Sequence, residues 1–162
     1  IYTGAKFTRL YFKDCYIDGT TDFIFGPSTA LFENCMIHSK RNSYVTAAST
    51  PKEAKYGYIF KHCKLTAEPG VDKVYLGRPW RPYAYTLFIE CELGKHIVPA
   101  GWHNWDKQSN EETARYMEYK NTGEGANASE RVAWSKQLTK KEAEAVTVDA
   151  IFGTQSNWNP ID

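Results

Sequence analysis

A seven-residue pattern built around cysteine recurs four times and limits the folds open to this chain. Each copy has phenylalanine three residues before the cysteine and isoleucine or leucine two residues after it. The copies read YFKDCYI at 11–17, LFENCMI at 31–37, IFKHCKL at 59–65 and LFIECEL at 87–93. The cysteines lie 20, 28 and 28 residues apart, which is too long for a hairpin and suits one coil of a solenoid. The repeat therefore predicts an all-β chain folded as a parallel β-helix.

The four cysteines are interpreted as buried structural residues. Unpaired cysteine behaves as a small hydrophobic residue, and stacked coils would align the thiols in an internal ladder. No Cys-x-x-Cys or Cys/His spacing indicates zinc, while disulfides between neighbouring coils remain open. Strand alternation places each cysteine and the following isoleucine or leucine on one face. The phenylalanine has the opposite parity, so it either faces outward or lies across a bulge. The cysteines concerned are Cys15, Cys35, Cys63 and Cys91.

Each coil is predicted to carry a second strand after a turn, at 20–25, 43–48, 73–76 and 95–98. Neighbouring strands lie about 4.8 Å apart, so Arg78, beyond the third strand, would be roughly 10 Å from the row of Asp22. The residues between them, at 46–49, are Thr, Ala, Ala and Ser. Such small side chains leave a groove that an extended arginine can cross.

Asp22 is the first candidate for a functional residue. It lies in the stretch GTTDFIFG at 19–26, where β-branched and aromatic neighbours favour a strand. A carboxylate close to apolar side chains loses hydration and needs a partner or a use. Arg78, meeting it across the groove, would keep Asp22 ionised and fix its orientation. The alternative is a surface ion pair that contributes little to stability.

Aromatic residues suggest a surface for sugar rings. The chain has five Trp, eleven Tyr and eight Phe, and prolines on both sides pre-organise Trp80. An exposed indole packs well against sugar C–H groups, although Trp80 could instead anchor its loop in the core. Trp102 and Trp105 flank His103, which is either a titratable site group or a hydrogen-bonded structural residue. The other histidines lack metal-ligand spacing.

Composition and length limit the partners and the domain organisation. A chain of 162 residues with 42% hydrophobic residues suits one domain. We expect coils carrying the site over 1–105 and a tail over 106–162 that packs on them, with a capping box at 139–142 opening a short helix and Trp158 as an aromatic anchor. The net charge of +1 argues against nucleic acid or anionic membrane as partners. No apolar run has membrane-spanning length.

Two motifs give the chain a specific resemblance. CYIDGTTDFIFG at 15–26 and LGRPW at 76–80 resemble the C-terminal signatures of the pectin methylesterase (pectinesterase) family, and GEGA at 123–126 with RVAW at 131–134 is similar to its tail. The resemblance implies a right-handed parallel β-helix that hydrolyses methyl esters of polygalacturonate without a metal or other cofactor. It also implies a secreted or periplasmic protein that acts on pectin and is monomeric at full length.

The resemblance assigns roles to six residues. Asp22 matches the nucleophilic aspartate and Arg78 the arginine that pairs with it. The aromatics that line the sugar groove match Phe25 and Trp80, Thr21 lies in the same motif, and Tyr2 matches a tyrosine one residue after a Gln-Asp-Thr motif. That upstream motif supplies the general acid, and nearby glutamines donate to the oxyanion. None of these residues is in the sequence, so we expect the 162-residue chain alone to lack esterase activity.

The implied mechanism is an aspartyl acyl-enzyme, and three alternatives stay open. A pectate-lyase-like β-helix would need an acidic calcium cluster, which the sequence does not show. A non-catalytic carbohydrate-binding β-helix would use the same aromatics without chemistry. A related thioesterase would use the same carboxylate on an acyl thioester.

Overall fold

The fold is a parallel β-helix, seen in a computed structural model that describes residues 1–153 and Pro160. Each coil contributes one strand to each of up to three sheets. The strands in chain order are β1 (Arg9–Lys13), β2 (Tyr16–Gly19), β3 (Ile24–Gly26), β4 (Thr29–Glu33), β5 (Met36–Ser39), β6 (Tyr44–Ala48), β7 (Tyr58–Lys61), β8 (Lys64–Ala67), β9 (Tyr75–Gly77), β10 (Tyr85–Ile89), β11 (Glu92–Leu93), β12 (Arg115–Tyr119) and β13 (Lys136–Gln137).

All strand pairings in the described part of the chain are parallel. The first sheet has the order β1-β4-β7-β10-β12-β13, the second β2-β5-β8-β11, and the third β3-β6-β9. The core lies between these sheets and is filled by aliphatic, cysteine and phenylalanine side chains. The predicted solenoid of stacked coils is therefore confirmed.

A corner residue explains how both phenylalanine and cysteine point inward. The repeat is two strands rather than one, because the residue before each cysteine adopts a left-handed backbone: Asp14, Asn34, His62 and Glu90, with φ between 51° and 54°. Asp, Asn and His tolerate this conformation better than most residues. The turn brings both side chains into the core, where Phe12, Phe32, Phe60 and Phe88 stack at centroid distances of 4.8, 4.5 and 4.4 Å. We call this column the phenylalanine ladder.

The cysteines form a second internal column and are all free thiols. Cys35, Cys63 and Cys91 are buried, whereas Cys15 in the first coil is partly exposed. Each buried thiol contacts a carbonyl of the preceding coil, as between Cys63 Sγ and Phe32 O at 3.4 Å. A hydrogen bond with Cys63, together with burial, raises the pKa of the Cys35 thiol. The three buried thiols are therefore core residues, as their hydrophobic character predicts.

The predicted second strands are only partly correct. The strand expected at 43–48 is present as β6, but 20–22 form a bend and β3 includes only Ile24–Gly26. Asp22 has φ 48°, a conformation that cannot continue a strand. The strand expected at 73–76 is shifted to β9, and 95–98 contributes only a bridge between Ile97 and Val74.

The solenoid continues beyond the boundary expected at residue 105. β12 pairs with β10 in parallel and places Glu118 in register with Phe88. Glu118 is buried and forms an ion pair with Arg131 at 2.8 Å, both side chains being 3% exposed. Arg131 also donates to the carbonyls of Pro99 and Gly125. A polar pair thus covers the end of the phenylalanine ladder.

Three short α-helices lie in the described part of the last third of the chain: α1 (Ser109–Thr113), α2 (Lys140–Glu144) and α3 (Val148–Phe152). The predicted capping box of α2 is present, because Thr139 and Glu142 exchange side-chain to backbone hydrogen bonds. Residues of α2 and α3 pack on the outer face of the first sheet against Leu31, Ile59 and Leu87. No helix among the described residues is long and apolar enough to cross a membrane. Trp158, the expected anchor, lies outside the described residues.

Candidate active site

The site is built on an ion pair between Asp22 and Arg78. Arg78 Nε donates to Asp22 Oδ1 at 3.0 Å and Nη2 donates to Oδ2 at 2.7 Å. Both side chains are 19% exposed, so the pair lies at the surface with restricted access to water. A bidentate arginine fixes the plane of a carboxylate as well as its charge. The predicted contact across 56 positions of sequence is present.

The backbone around each partner holds this geometry. The Asp22 amide donates to Tyr44 O at 2.8 Å, which fixes the left-handed bend that turns the carboxylate toward Arg78. Arg78 begins the loop after β9, and its amide donates to Thr46 O at 3.0 Å. Gly77 before it packs directly on Thr46, and a Cβ at Gly77 would overlap the Thr46 hydroxyl. The glycine of LGRPW is therefore explained by close packing of β9 on β6.

Arg78 is clamped between two aromatic rings. Its Cζ lies 3.9 Å from the centroid of Tyr44 and 3.8 Å from that of Trp105. Burial alone would lower the pKa of the guanidinium, but its hydrogen bonds and charge interaction with Asp22 outweigh burial and raise it. Arg78 is thus a permanent cation with little freedom to move, in contact with each oxygen of Asp22.

Sequence reasoning missed the role of Trp105 in this clamp. The segment GWHNW at 101–105 was noted for its two indoles, but its position next to Arg78 depends on the fold. Trp102 forms a parallel bridge with Gly77, and His103 N donates to Gly77 O at 3.1 Å. This segment adds a further row beside β9 and brings Trp105 over Arg78. The position of Trp105 could have been inferred from the repeat, because the fourth coil must lie next to the third, which carries Arg78.

Asp22 opens onto a small trough of about 270 Å³. Its lining residues are Thr21, Asp22, Phe25, Ala47, Trp80 and Trp105. Ala47, aligned with Phe25 across β3 and β6, keeps the floor low, as the small residues at 46–49 predicted. Trp80 is 36% exposed, so of its two interpretations the exposed aromatic plane is correct and the core anchor is wrong.

Aromatic side chains continue the trough in one direction. Phe25 packs edge-on against Trp80, with the ring centroids 6.0 Å apart, and its ring is tilted against that of Tyr2 at 5.2 Å. Tyr2 does not line the trough itself. It belongs with Trp80 to an adjoining groove of about 460 Å³, which also includes the cations Lys6, Lys52 and Arg81. The six site residues of the sequence prediction therefore fall in one continuous surface.

The arrangement can perform nucleophilic chemistry on a carbonyl. Asp22 lies next to a fixed cation, is partly shielded from water, and lines the open trough. The trough lining contains no second carboxylate. Among the described residues, no cluster of three His, Cys, Asp or Glu has the geometry of a metal site.

Comparisons with known proteins identify the family. The family model described as Pectinesterase matches residues 1–155. Pectinesterase 31 from Arabidopsis thaliana is 43% identical over 136 residues, covering 83% of this chain and 43% of that protein. The solved pectin methylesterase from carrot has a TM-score of 0.85 at 33% identity, covering 94% of this chain and 53% of that one.

A third relative was solved with a sugar ligand. This pectin methylesterase, in complex with hexasaccharide VII, has a TM-score of 0.78 at 28% identity. The match covers 94% of this chain and 53% of that one. The chain therefore spans roughly half the length of the relatives it matches.

The fold and the comparisons together define a right-handed parallel β-helix. The family model matches the sequence over residues 1–155, so the likeness extends beyond the fold to the sequence itself. The chain belongs to the pectinesterase family, as its motifs predicted.

Proposed function

We propose that the protein carrying this chain is a carboxylic ester hydrolase that removes methyl groups from esterified polygalacturonate. The observation that supports it most is the bidentate Asp22–Arg78 pair at an open, aromatic-lined trough. The relatives named pectinesterase and the hexasaccharide complex of one of them point to the same substrate class. Homogalacturonan chains present flat sugar faces, which suit Phe25 and Trp80.

In the proposed reaction Asp22 is the nucleophile. One of its oxygens attacks the C6 carbonyl of a methyl galacturonate, forming a tetrahedral intermediate whose collapse breaks the C6–OCH₃ bond. Methanol leaves with a proton from an acid, and the sugar remains attached to Asp22 as an anhydride. Water then gives a proton to the conjugate base of that acid and attacks C6, which breaks the bond to Asp22 and restores its carboxylate; the galacturonate carboxyl loses its remaining proton to solvent. Arg78 keeps the attacking carboxylate oriented throughout.

The acid and the oxyanion donors have to come from outside the trough residues of this chain. The trough lining offers no second carboxylate, and proton transfer to methanol needs a group within hydrogen-bond reach. We propose that the part of the relatives which this chain does not span supplies these groups, and that the 162 residues alone release no methanol. We also propose that the complete protein is extracellular and monomeric.

The test is methanol release from methyl-esterified polygalacturonate, measured with the 162-residue chain and with the longest protein that contains it. We expect turnover only in the longer protein, insensitive to chelators, and a loss of at least about 10⁴-fold in Asp22→Asn, because the attacking group is removed. The matched control is Asp18→Asn, since Asp18 pairs with Lys40 on the exposed second sheet and its loss should leave turnover unchanged.

Three outcomes would favour another function. Turnover that survives in Asp22→Asn would exclude the aspartyl mechanism. Binding of oligogalacturonate without methanol release, equal in Asp22→Ala and in the unsubstituted protein, would indicate a carbohydrate-binding β-helix. Hydrolysis of acyl thioesters in preference to methyl pectin would indicate the related thioesterase.

A further inference from the structure

We propose that His103 is a positioning residue for the active site: its neutral ring holds Trp105 over Arg78, and protonation of that ring releases the clamp. This inference rests on the proposed function for its effect on turnover, but its structural part stands separately. It concerns a histidine at the end of the row formed by 101–103 that contacts Tyr44 and Trp105, the two residues that clamp Arg78.

Two tyrosines fix the His103 ring in place. The ring lies edge-on to Tyr44 at 5.4 Å and to Tyr75 at 5.3 Å, and these two rings stack on each other at 5.2 Å. Tyr44 is also one face of the Arg78 clamp. The His103 side chain is 23% exposed, so it exchanges protons with solvent while its orientation is restrained.

The His103 ring accepts a hydrogen bond that only its neutral form can accept. Trp105 N donates to His103 Nδ1 at 3.0 Å, which places the proton of the neutral ring on Nε2. Trp105 and Asp106 both have left-handed backbones, with φ of 61° and 52°. Two such residues in succession are unfavourable without glycine, so the loop depends on ties such as this hydrogen bond.

Protonation removes that tie. In the imidazolium both ring nitrogens are donors, so Nδ1–H would face the Trp105 N–H and the hydrogen bond would be lost. The loop would then relax from its left-handed conformation and move the Trp105 indole, whose centroid is 3.8 Å from Arg78 Cζ. Arg78 would lose one face of its clamp, and Asp22 would lose its fixed orientation.

Charged and titratable side chains lie on several sides of His103. Asp106 Oδ1 is 3.8 Å from Nε2, and the Asp106 side chain is 95% exposed. Tyr44 on β6 and Tyr75 on β9 pack against the ring. Arg78, which pairs with Asp22, contacts the Tyr44 ring.

Two variants of His103 separate its role as a hydrogen-bond acceptor from the packing of its ring. In His103→Asn, the amide Oδ1 takes the position of Nδ1 and can accept from the amide two residues later, as in an Asx turn, but does not titrate. In His103→Phe the ring packing on both tyrosines is kept and the acceptor is lost. Activity is measured as methanol release by the full protein between pH 4.5 and 8.

We expect the unsubstituted protein to lose activity on the acid side as His103 protonates. His103→Asn should retain most of its activity at neutral pH and lack this acid limb. His103→Phe should be about 10-fold less active at every pH, because a small displacement near the reacting groups is costly. The control is His62→Asn at an exposed corner, where Asn34 occupies the equivalent position; it should leave the pH profile unchanged.

A second readout does not depend on turnover. In the Asp22→Asn protein, the backbone amide resonance of Trp105 is followed by NMR from pH 8 to 4.5, together with the His103 ring resonances. The inference requires the Trp105 amide to shift with the same midpoint as the His103 ring, and this shift to vanish in His103→Asn. A Trp105 amide that stays constant while His103 titrates would overturn it. Failure of every variant to release methanol would count against the proposed function alone.

Discussion

The first and third sheets of this solenoid differ in whether successive coils place the same side chain at equivalent positions. In the first sheet each coil repeats the one before it, so that four phenylalanines stack at nearly equal spacing. In the third sheet neighbouring positions differ: Phe25 lies next to Ala47, and the residues beyond the strands are Asp22, Arg78 and Trp105. Stacking of identical side chains in successive coils stabilises the fold. Different side chains contributed by neighbouring coils form the site.

Backbone strain follows the same division. At the corner between the first and second sheets a left-handed residue recurs in each coil, as Asp14, Asn34, His62, Glu90 and Lys120. Those of the site, Asp22 and Trp105, occur at positions that no other coil repeats. Such isolated strain is tolerated where surrounding contacts hold it, and it is concentrated at functional sites.

The largest difference between the two regions should appear on truncating a ring. Phe60 is fully buried between Phe32 and Phe88, so Phe60→Ala should lower the free energy of unfolding by about 3–5 kcal/mol. Phe25→Ala, at the partly exposed trough, should cost less than about 1 kcal/mol and weaken substrate binding instead. Urea unfolding measures both. Equal losses of stability in the two variants would remove the distinction between ladder and site.

The end of the ladder offers the next test. Glu118 occupies the position of a ladder phenylalanine and pairs with Arg131 in the core. Glu118→Gln leaves the guanidinium buried without its counter-charge, which should cost about 3 kcal/mol of unfolding free energy. The exposed pair of Lys64 and Glu92 is the control, because Glu92→Gln should change stability by less than about 0.5 kcal/mol. An equally small change of unfolding free energy in Glu118→Gln would show that the Glu118–Arg131 pair contributes little to stability.

A buried histidine outside the trough lining should make stability depend on pH. Burial, and to a lesser extent the nearby His38, lowers the pKa of His96 to about 4 from 6.5. Between these values the unfolded chain binds the proton and the folded chain does not, so stability falls as pH drops from about 6.5 to about 4. The loss attributable to His96 is at most about 3 kcal/mol.

The urea midpoint as a function of pH measures this effect. His96→Gln should flatten the slope between pH 6.5 and 4, whereas replacing the exposed His62 should not. An unchanged slope in His96→Gln would mean that other groups cause the acid sensitivity. The contrast with His103 is sharp, since His96 should affect stability and His103 should affect turnover.

Much of this fold could be predicted from the sequence because repetition makes it visible. The Phe-x-x-Cys spacing indicated stacked coils, and the four small residues at 46–49 indicated a groove. The left-handed corner was not predicted, although the residues Asp14, Asn34 and His62 before the cysteines were a usable sign. The continuation into β12 was missed because Glu118 and Asn121 replace phenylalanine and cysteine there.

The site was predictable where a motif carries it and not where tertiary contacts do. Asp22 and Arg78 come from motifs, and stacking predicted their meeting. Trp105 and His103 reach the site because a fourth coil runs beside β9, and no local pattern encodes that approach. Asp22 itself was placed in a strand, because propensity cannot reveal a bend held by Tyr44 O and Arg78.

The most direct test of the account is to trap the acyl group on Asp22. Borohydride added to the full protein during turnover should reduce the activated carbonyl of the Asp22 anhydride to an alcohol, leaving homoserine at position 22 that peptide mass analysis detects. We expect this change with methyl-esterified oligogalacturonate and not without it. Methanol release with residue 22 recovered as unmodified aspartate would contradict the central claim that this carboxylate attacks the ester.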